Sequence, residues 1–519
     1  MFFIKFQKVA KYYFYRFLLF SSAFLIFTSC ISLSQSESGN YTVNKNLVEK
    51  NRVNNEAFND EDLHLGFYLA SKLAFDSFKF KLSSDFALKA LNGDPEDIDL
   101  LNHAFLSTMF SGQIEKAVQI ASRMELVSDS INSQTILPEI AVSIKSSDFK
   151  AAKDFSKFLG VEDYDKMLST VLESWYHAIK KQEALSLSSL NHFTSEINLS
   201  SNLSPYATTI QSLLISTYLG LSKETKAKYN LILKDPSSIP TRFIIKIAQV
   251  IYLNGEKLKA ESFLEKNLPN GYDLKKTKII LQKTSAINPV EAIADIFFEY
   301  GISVSKSKNS FSAIPNLWIS LYLNENNDDL RIALSSIFSR LKDYKSAVEI
   351  LSHKDEKFIT SPVIMFEKSY YQEKLGLLKE AENSILDLLE NKSFEKDASL
   401  NLASFYIRQK RYKESLRIYN KLILDKKISS EVYYYRALAL VQTEQWNSAF
   451  KALDQLLLEI PNNPEVLNFC GYTFVDQNVR LNEGLKLIEK AVEIDPENGF
   501  YIDSLGWANY RVGNIDNAI

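Results

Sequence analysis

The chain has 519 residues, of which 46% are hydrophobic and 24% are charged, and its formal net charge is −3 at pH 7. This composition is that of a folded protein and excludes a wholly disordered chain. The mild acidity lacks the basic footprint of nucleic-acid binding, so we expect no nucleic-acid partner. Only 15 glycines and 12 prolines occur, which disfavours a β-sandwich with many tight turns and favours long helices with short connections.

Residues 1–29 have the anatomy of an export signal. Four basic residues precede an apolar run, residues 17–27, that is too short for an ordinary membrane-spanning helix. Two small residues then lead to Cys30. The segment resembles a bacterial lipobox, in which the cysteine receives lipid and becomes the new N-terminus, although Phe27 stands where a leucine is usual.

The lipobox resemblance implies a lipid-anchored protein of the bacterial envelope. Several acyl chains on Cys30 would anchor the chain stably, which a single chain would not. We expect attachment to the outer membrane, with the folded part facing the periplasm. The alternative is an uncleaved signal anchor with an incidental cysteine. Residues 30–59 are rich in Ser, Asn, Glu and Lys and show no helical periodicity, so they are predicted to form a flexible tether.

Residues 60–327 show helical periodicity with irregular repeat signals. Pro95 closes one unit, Gly112 with Ala117 fits the next, and Gly255 with Ala260 marks another. The segment 287–324 is predicted to be a longer unit in which Pro315 begins or bends a helix. This half of the chain is therefore predicted to consist of degenerate helical repeats.

Residues 328–519 contain a regular repeat. A small residue recurs every 34 residues in the second helix of each predicted unit, and another recurs in the first helix. The second-helix positions are Ala347, Ala381, Ser415 and Ala449, and the first-helix positions are Ser335, Ser369, Ala403 and Ala437. The 34-residue period is that of tetratricopeptide (TPR) repeats.

Packing explains why small residues recur in this pattern. Two helices approach closely only where one of them carries a small side chain. A single hairpin cannot bury its whole apolar face, so each unit needs its neighbours. The predicted fold is therefore an all-α superhelical solenoid of TPR and TPR-like hairpins, roughly twelve in number by the period.

The last repeats carry the most specific motifs. Gly471-Tyr472, Arg480-Leu481, Asp495-Pro496 and the segment 503–507 (Asp-Ser-Leu-Gly-Trp) follow one another. This succession resembles the C-terminal repeats of a family of bacterial TPR lipoproteins, with Cys470 replacing the usual leucine. The resemblance covers about a tenth of the chain. It implies an adaptor in the envelope, with a protease, a cell-wall hydrolase or an assembly factor as partner.

The chain stops at Ile519, one residue after Ala518, which is the small residue of the final second helix. The last hairpin therefore contains only the beginning of its second helix. Because helical arrays normally end in a polar-faced cap, we expect the natural chain to continue beyond Ile519.

Motifs for catalysis or metal binding are not found in the sequence. The five histidines, His64, His103, His177, His192 and His353, are not paired at the spacing of metal ligands. No phosphate-binding glycine loop occurs, so we expect no cofactor, no metal and no enzymatic activity. Cys470 is interpreted as a small core residue rather than a reactive thiol.

The first helices of the regular repeats present candidate partner-binding residues. By spacing, the face lining the groove carries Phe366, Tyr370, Leu400, Tyr434 and Leu438, with Arg340, Lys374 and Arg408 at the ends of the same helices. Aromatic residues rimmed by basic groups would suit an extended peptide or a partner helix. Alternatively, the aromatic residues pack against the adjacent hairpin and the basic residues are merely solvated.

The leading hypothesis is a membrane-tethered scaffold that binds partner proteins in the periplasm. A first alternative is a structural subunit of an outer-membrane or polysaccharide-export complex, which would have large apolar interfaces. A second is a cell-wall-acting enzyme, which would need a cleft with convergent acidic residues.

Overall fold

The computed structural model describes residues 60–128, 135–160, 163–196, 206–234, 239, 241–269, 272–305, 310–352, 362–392, 394–424 and 429–519. The predicted export signal, Cys30 and the predicted tether lie outside these ranges. Regular secondary structure in the described part consists of 27 α-helices and one 3₁₀ turn, Ser310–Ala313. None of these helices is long and apolar enough to cross a lipid bilayer.

The first twelve helices form six successive hairpins, which we call the N-terminal array. They are α1 (Asp60–Asp76), α2 (Phe80–Ala90), α3 (Ile98–Phe110), α4 (Ile114–Ser128), α5 (Ile136–Lys145), α6 (Phe149–Ser156), α7 (Asp163–Ile179), α8 (Glu183–Glu196), α9 (Tyr206–Tyr218), α10 (Ser222–Ile232), α11 (Thr241–Leu253) and α12 (Lys257–Asn267).

Three helices follow that do not continue the series, and we call them the insert. They are α13 (Leu274–Lys283), α14 (Pro289–Ser305) and α15 (Ile314–Leu323). Pro315 lies in the first turn of α15, where a proline needs no hydrogen-bond partner for its nitrogen. The predicted longer unit therefore consists of α14 and α15, which pack against each other.

The remaining twelve helices form six more hairpins, which we call the C-terminal array. They are α16 (Asp328–Arg340), α17 (Tyr344–Leu351), α18 (Val363–Lys374), α19 (Leu378–Leu389), α20 (Glu395–Arg408), α21 (Tyr412–Leu422), α22 (Ser430–Gln442), α23 (Trp446–Glu459), α24 (Pro464–Asp476), α25 (Leu481–Ile494), α26 (Gly499–Val512) and α27 (Ile515–Ala518). The two arrays confirm the all-α solenoid of TPR-type hairpins.

All twelve hairpins of the two arrays share one turn. A residue with positive φ follows the first helix of each hairpin and recurs once per repeat within an array. These residues are Phe78, Gly112, Ser147, Lys181, Gly220, Gly255, Lys342, Gly376, Lys410, Glu444, Asn478 and Gly513. The shared turn shows that the degenerate hairpins and the regular ones are the same structural unit.

Backbone hydrogen bonds explain how non-glycine residues occupy this left-handed position. The amide that follows Lys181 donates to the carbonyl of His177, and the amide that follows Lys410 donates to the carbonyl of Tyr406. This bond closes the end of a helix by satisfying a carbonyl that has no partner within the helix. The bond offsets the cost of a side chain at positive φ, which is about 1 kcal/mol.

The small residues identified in the sequence lie at helix–helix contacts. Ala347, Ala381, Ala403 and Ala437 are fully buried, and Ser369 donates a hydrogen bond of 2.7 Å from its hydroxyl to the carbonyl of Ala381 in the second helix. Each first helix therefore lies directly on the second helix of its own hairpin, as the repeat spacing predicted.

Ala449→Leu is expected to destabilise hairpin α22–α23 by about 1–3 kcal/mol, because Ala449 is fully buried and extra carbons overpack a close contact. Ser448→Leu is the matched control, since Ser448 is exposed on the same helix. Hydrogen exchange over residues 430–496 measures the effect. Equal protection in both variants would contradict the assignment of Ala449 to the helix–helix contact.

The insert packs against the first helices of the N-terminal array. α15 contacts α3 and α5, and α14 contacts α7 and α9. The ring of Tyr164 stacks on that of Tyr300 with centroids 3.7 Å apart, and its hydroxyl donates to Asn316 Oδ1 at 2.9 Å. Farther along, the side-chain amide of Gln211 donates to the carbonyl of Ala292 at 2.6 Å. The insert therefore contacts four earlier hairpins that are distant from it in sequence.

The first hairpin also makes contacts that are distant in sequence. Lys79 Nζ lies 3.4 Å from Asp343 Oδ1, and the rings of Phe80 and Phe338 meet edge to face with centroids 6.0 Å apart. Hairpin α1–α2 therefore packs against hairpin α16–α17. A solenoid in which each unit touches only its neighbours does not describe the N-terminal half of this chain.

Candidate partner-binding face

Four first helices of the N-terminal array, α3, α5, α7 and α9, do not offer an open binding face, because α14 and α15 pack against them. Ile293 and Phe297 of α14 and Leu317 of α15 are fully buried where the insert covers these helices. Trp318 Nε1 donates to the carbonyl of Phe110 at 3.0 Å, and Lys145 Nζ donates to the carbonyl of Tyr322 at 2.7 Å. The chain itself thus occupies the surface that a partner would use in this half.

The corresponding face of the C-terminal array is different. Among the described helices, only neighbours in the stack pack extensively against α18, α20 and α22. Phe366, Leu400 and Tyr434 occupy one repeat position on these three helices, and all three are half-buried. The structure therefore places the predicted aromatic and leucine positions in one row.

Each residue of this row also contacts a core cluster. Phe366 packs against the cluster that contains Ile385 and Leu402, and Leu400 packs against the cluster that contains Tyr419 and Val432. The alternative interpretation, packing on the adjacent hairpin, thus applies to part of each side chain, while the remaining surface faces solvent.

Tyr434 shows in most detail how a residue of this row packs on the adjacent hairpin. Its ring centroid lies 5.3 Å from that of Phe469 in the next hairpin, and its hydroxyl donates to Glu465 Oε1 at 3.2 Å. Burial, reinforced by the neighbouring Glu465 carboxylate, raises the pKa of the Tyr434 hydroxyl. Leu438, one turn farther along α22, is half-buried and belongs to none of the core clusters. Replacing Leu438 is therefore expected to disturb the core less than replacing Tyr434 would.

The predicted basic residues Arg340, Lys374 and Arg408 lie at the C-terminal ends of their first helices, and all three are exposed. Lys374 Nζ lies 5.1 Å from the ring centroid of Tyr370. Arg408 donates from Nε and Nη2 to the carboxylate of Glu373 at 2.9 to 3.1 Å. Arg408 is thus neutralised within the chain, which reduces its attraction for an acidic partner.

A row of acidic residues was missed in the sequence. Asp397, Glu431 and Glu465 stand one repeat apart from one another, in the first turns of α20, α22 and α24. Their carboxylates reach solvent, yet the surrounding protein raises the pKa of Asp397 and of Glu431. The signal that would have revealed them is the same repeat spacing that revealed the small residues.

The described side chains give little evidence of a cysteine nucleophile or of a metal site. Cys470 is fully buried, and burial raises the pKa of its thiol to about 12. A thiol with that pKa is almost entirely protonated at neutral pH and is a poor nucleophile. The described residues include no group of three or more His, Cys, Asp or Glu side chains that could hold a metal ion.

Comparison with known proteins gives one local similarity in sequence. No family model matches the chain. Over 68 residues, 13% of this chain, it is 38% identical to TPR repeat-containing protein PA4667 of Pseudomonas aeruginosa. The matched part is 12% of that protein's length, so the similarity concerns the repeat and not the whole protein.

Several solved structures of helical repeats align at low identity. The Cut9-Hcn1 hetero-tetramer of APC/C is 12% identical, covering 87% of this chain and 97% of that chain with a TM-score of 0.34. Yeast Tom70 is 13% identical, covering 88% and 96% with a TM-score of 0.34. YrrB, described as a TPR protein with an unusual peptide-binding site, is 16% identical, covering 39% and 87% with a TM-score of 0.24. The repeated hairpin and its shared turn show a fold of TPR-type helical hairpins, and the local identity to PA4667 agrees with that fold.

Proposed function

We propose that the chain is a scaffold, anchored by a lipid on Cys30 to the outer membrane of a bacterium, that binds a partner protein in the periplasm. The observation that carries the proposal is the contrast between the two arrays. Helices α14 and α15 cover four first helices of the N-terminal array, α3, α5, α7 and α9, whereas only stack neighbours pack on α18, α20 and α22 among the described helices. The C-terminal array is therefore the proposed binding half.

The chemistry of this face suits protein recognition. Half-buried aromatic residues need little additional ordering when a partner covers them, and such residues dominate binding energy at protein interfaces. A lipid anchor would hold the scaffold and its partner at one surface, which raises their effective concentration. A protease, a cell-wall hydrolase and an assembly factor are the partner classes that this arrangement would serve.

Cys30→Ala is expected to release the protein from the membrane fraction or to block its maturation, because the thioether to the lipid cannot form without the thiol. Incorporation of a labelled fatty acid measures lipidation directly. Cys470→Ala is the matched control, since it removes the other cysteine, which is buried, and should keep the label. Equal labelling of wild type and Cys30→Ala would overturn the anchoring proposal.

Partner binding is tested by photo-crosslinking in intact cells. A photoreactive amino acid is placed at Leu438, on the proposed face, and separately at Leu458, which is 82% exposed on the second helix α23. We expect discrete protein adducts from position 438 and none from position 458, because only the face lined by the first helices should hold a partner. Adducts from neither position, or the same adducts from both, would show that this face is not the binding site.

A further inference from the structure

Two glutamates on the proposed face form no ion pair with any lysine or arginine that the structure describes. Glu431 and Glu465 are exposed, one repeat apart, in the first turns of α22 and α24. Among the described residues, neither carboxylate forms an ion pair with a lysine or arginine. Glu373 of α18, by contrast, is paired with Arg408. The acidic charge between α22 and α24 is thus available to a ligand.

Aromatic rings lie close to these two glutamates on the same helices. Tyr434 donates its hydroxyl hydrogen to Glu465 at 3.2 Å and packs on Phe469. Tyr435 stacks on Tyr419 with ring centroids 6.2 Å apart and an interplanar angle of 13°. Tyr434, Tyr435 and Phe469 are each half-buried, so each ring keeps an accessible part. Aromatic faces carry negative potential and attract lysine and arginine side chains.

The electrostatics of this part of the face favour a cation. Although part of Glu431 is exposed, desolvation by the surrounding protein raises the pKa of its carboxyl group, because it disfavours the charged form. Burial also raises the pKa of Tyr435, and the carboxylates of Glu431 and Glu465 add to that effect. A positive group placed here would meet several ring faces and two carboxylates that are unpaired within the described part of the chain.

We propose that the face formed by α22 and α24 binds a cationic segment of the partner protein, with lysine or arginine side chains seated between Glu431 and Glu465 beside the tyrosine rings. The proposal rests on the scaffold function proposed above and specifies the chemistry of its partner. An acidic segment would have to use the basic ends of the first helices instead. Arg408 is already held by Glu373, and Lys374 lies against Tyr370, so those groups are less available.

The test uses the whole chain purified in detergent micelles and a fluorescently labelled peptide of alternating lysine and alanine. A second peptide carries glutamine in place of every lysine. Fluorescence anisotropy measures the affinity of both peptides for wild type and for the double variant Glu431→Gln, Glu465→Gln. The matched control is Glu459→Gln, Glu493→Gln, which removes the same charge from exposed positions on the second helices α23 and α25.

The lysine peptide is expected to bind wild type and to bind the double variant about tenfold more weakly, since each accessible ion pair contributes a few-fold in affinity. The control variant should lose little affinity for the lysine peptide. The difference in affinity between wild type and the double variant should shrink at high salt. Unchanged circular dichroism melts would confirm that the double variant is folded.

If the control variant weakens lysine-peptide binding as much as the double variant does, the proposal is overturned, because the peptide would then be attracted by the net charge of the protein alone. Equal binding of the glutamine peptide, or the absence of lysine-peptide binding to wild type, would also overturn it. Crosslinking at Leu438 distinguishes this failure from failure of the scaffold function, because adducts there report a partner of any charge.

Discussion

Phe297→Ala is expected to destabilise the N-terminal half of the protein by about 3–5 kcal/mol, the usual cost of deleting a fully buried phenylalanine. Phe297 lies in α14, and this helix contacts α7 and α9 of the N-terminal array. The substitution would leave a cavity at the interface between the insert and hairpins that lie much earlier in the chain. Increased hydrogen exchange should therefore appear in α7 to α10 as well as in α14.

The distribution of the effect is the informative part of this experiment. In a repeat array with nearest-neighbour contacts alone, damage stays in the mutated unit and the units beside it. Phe158→Ala is the matched control, because Phe158 is 50% exposed in the N-terminal array and its replacement should lower the stability far less. If exchange increases in α14 and α15 while α7 to α10 keep full protection, the insert is not a structural part of the N-terminal array.

The regular hairpins were predictable because their constraint is local and periodic. Ala381 and Ala449 have to be small since another helix lies against them, and this requirement recurs in every unit. The shared turn could not reveal the degenerate hairpins from sequence, because it does not require glycine in either array. Lys181 takes the left-handed position where Gly112 and Gly220 stand in other hairpins. The hydrogen bonds of the turn, rather than the residue type, fix its conformation.

The role of the insert was not predictable from spacing. Helix α14 is apolar on more than one side, with Ile293, Phe297 and Phe298 all buried, and such a helix is expected to be enclosed. Which surface encloses it depends on how the preceding hairpins curve, and the repeat period does not specify that. The sequence thus predicted a longer unit in this segment but not that it covers α7 and α9.

The geometry of the candidate face was predictable in part. The repeat spacing puts Phe366, Leu400 and Tyr434 at one position on successive first helices, and the structure has them there. The spacing does not determine how much of each side chain the next hairpin covers, because that depends on the angle between helices. The contact of Tyr434 with Phe469 therefore emerged only from the structure.

Gly471→Leu is expected to destabilise the end of the C-terminal array by about 3 kcal/mol or more, at or above the upper end of overpacking costs. A Cβ atom at Gly471 would lie 2.6 Å from the carbonyl oxygen of Gly484 and 2.8 Å from Ile488 Cγ1. A Cβ atom at Gly484 would lie 2.7 Å from the carbonyl oxygen of Gly471. Helices α24 and α25 therefore meet backbone to backbone, and a backbone carbonyl cannot move aside as a flexible side chain would.

Gly66→Leu is the matched control for this substitution. Gly66 lies within helix α1, and no atom stands within 4 Å of the position that its Cβ would take. Leucine there should stabilise α1 by about 0.5–1 kcal/mol, because glycine is a poor helix former and the new side chain meets open space. The same replacement is thus expected to change the stability in opposite directions at the two sites. Urea unfolding followed by hydrogen exchange in α1 and in α24–α25 measures both effects. Stabilisation at both sites would show that α24 and α25 can separate without cost, and that the small position of this repeat is not required by a close helix contact.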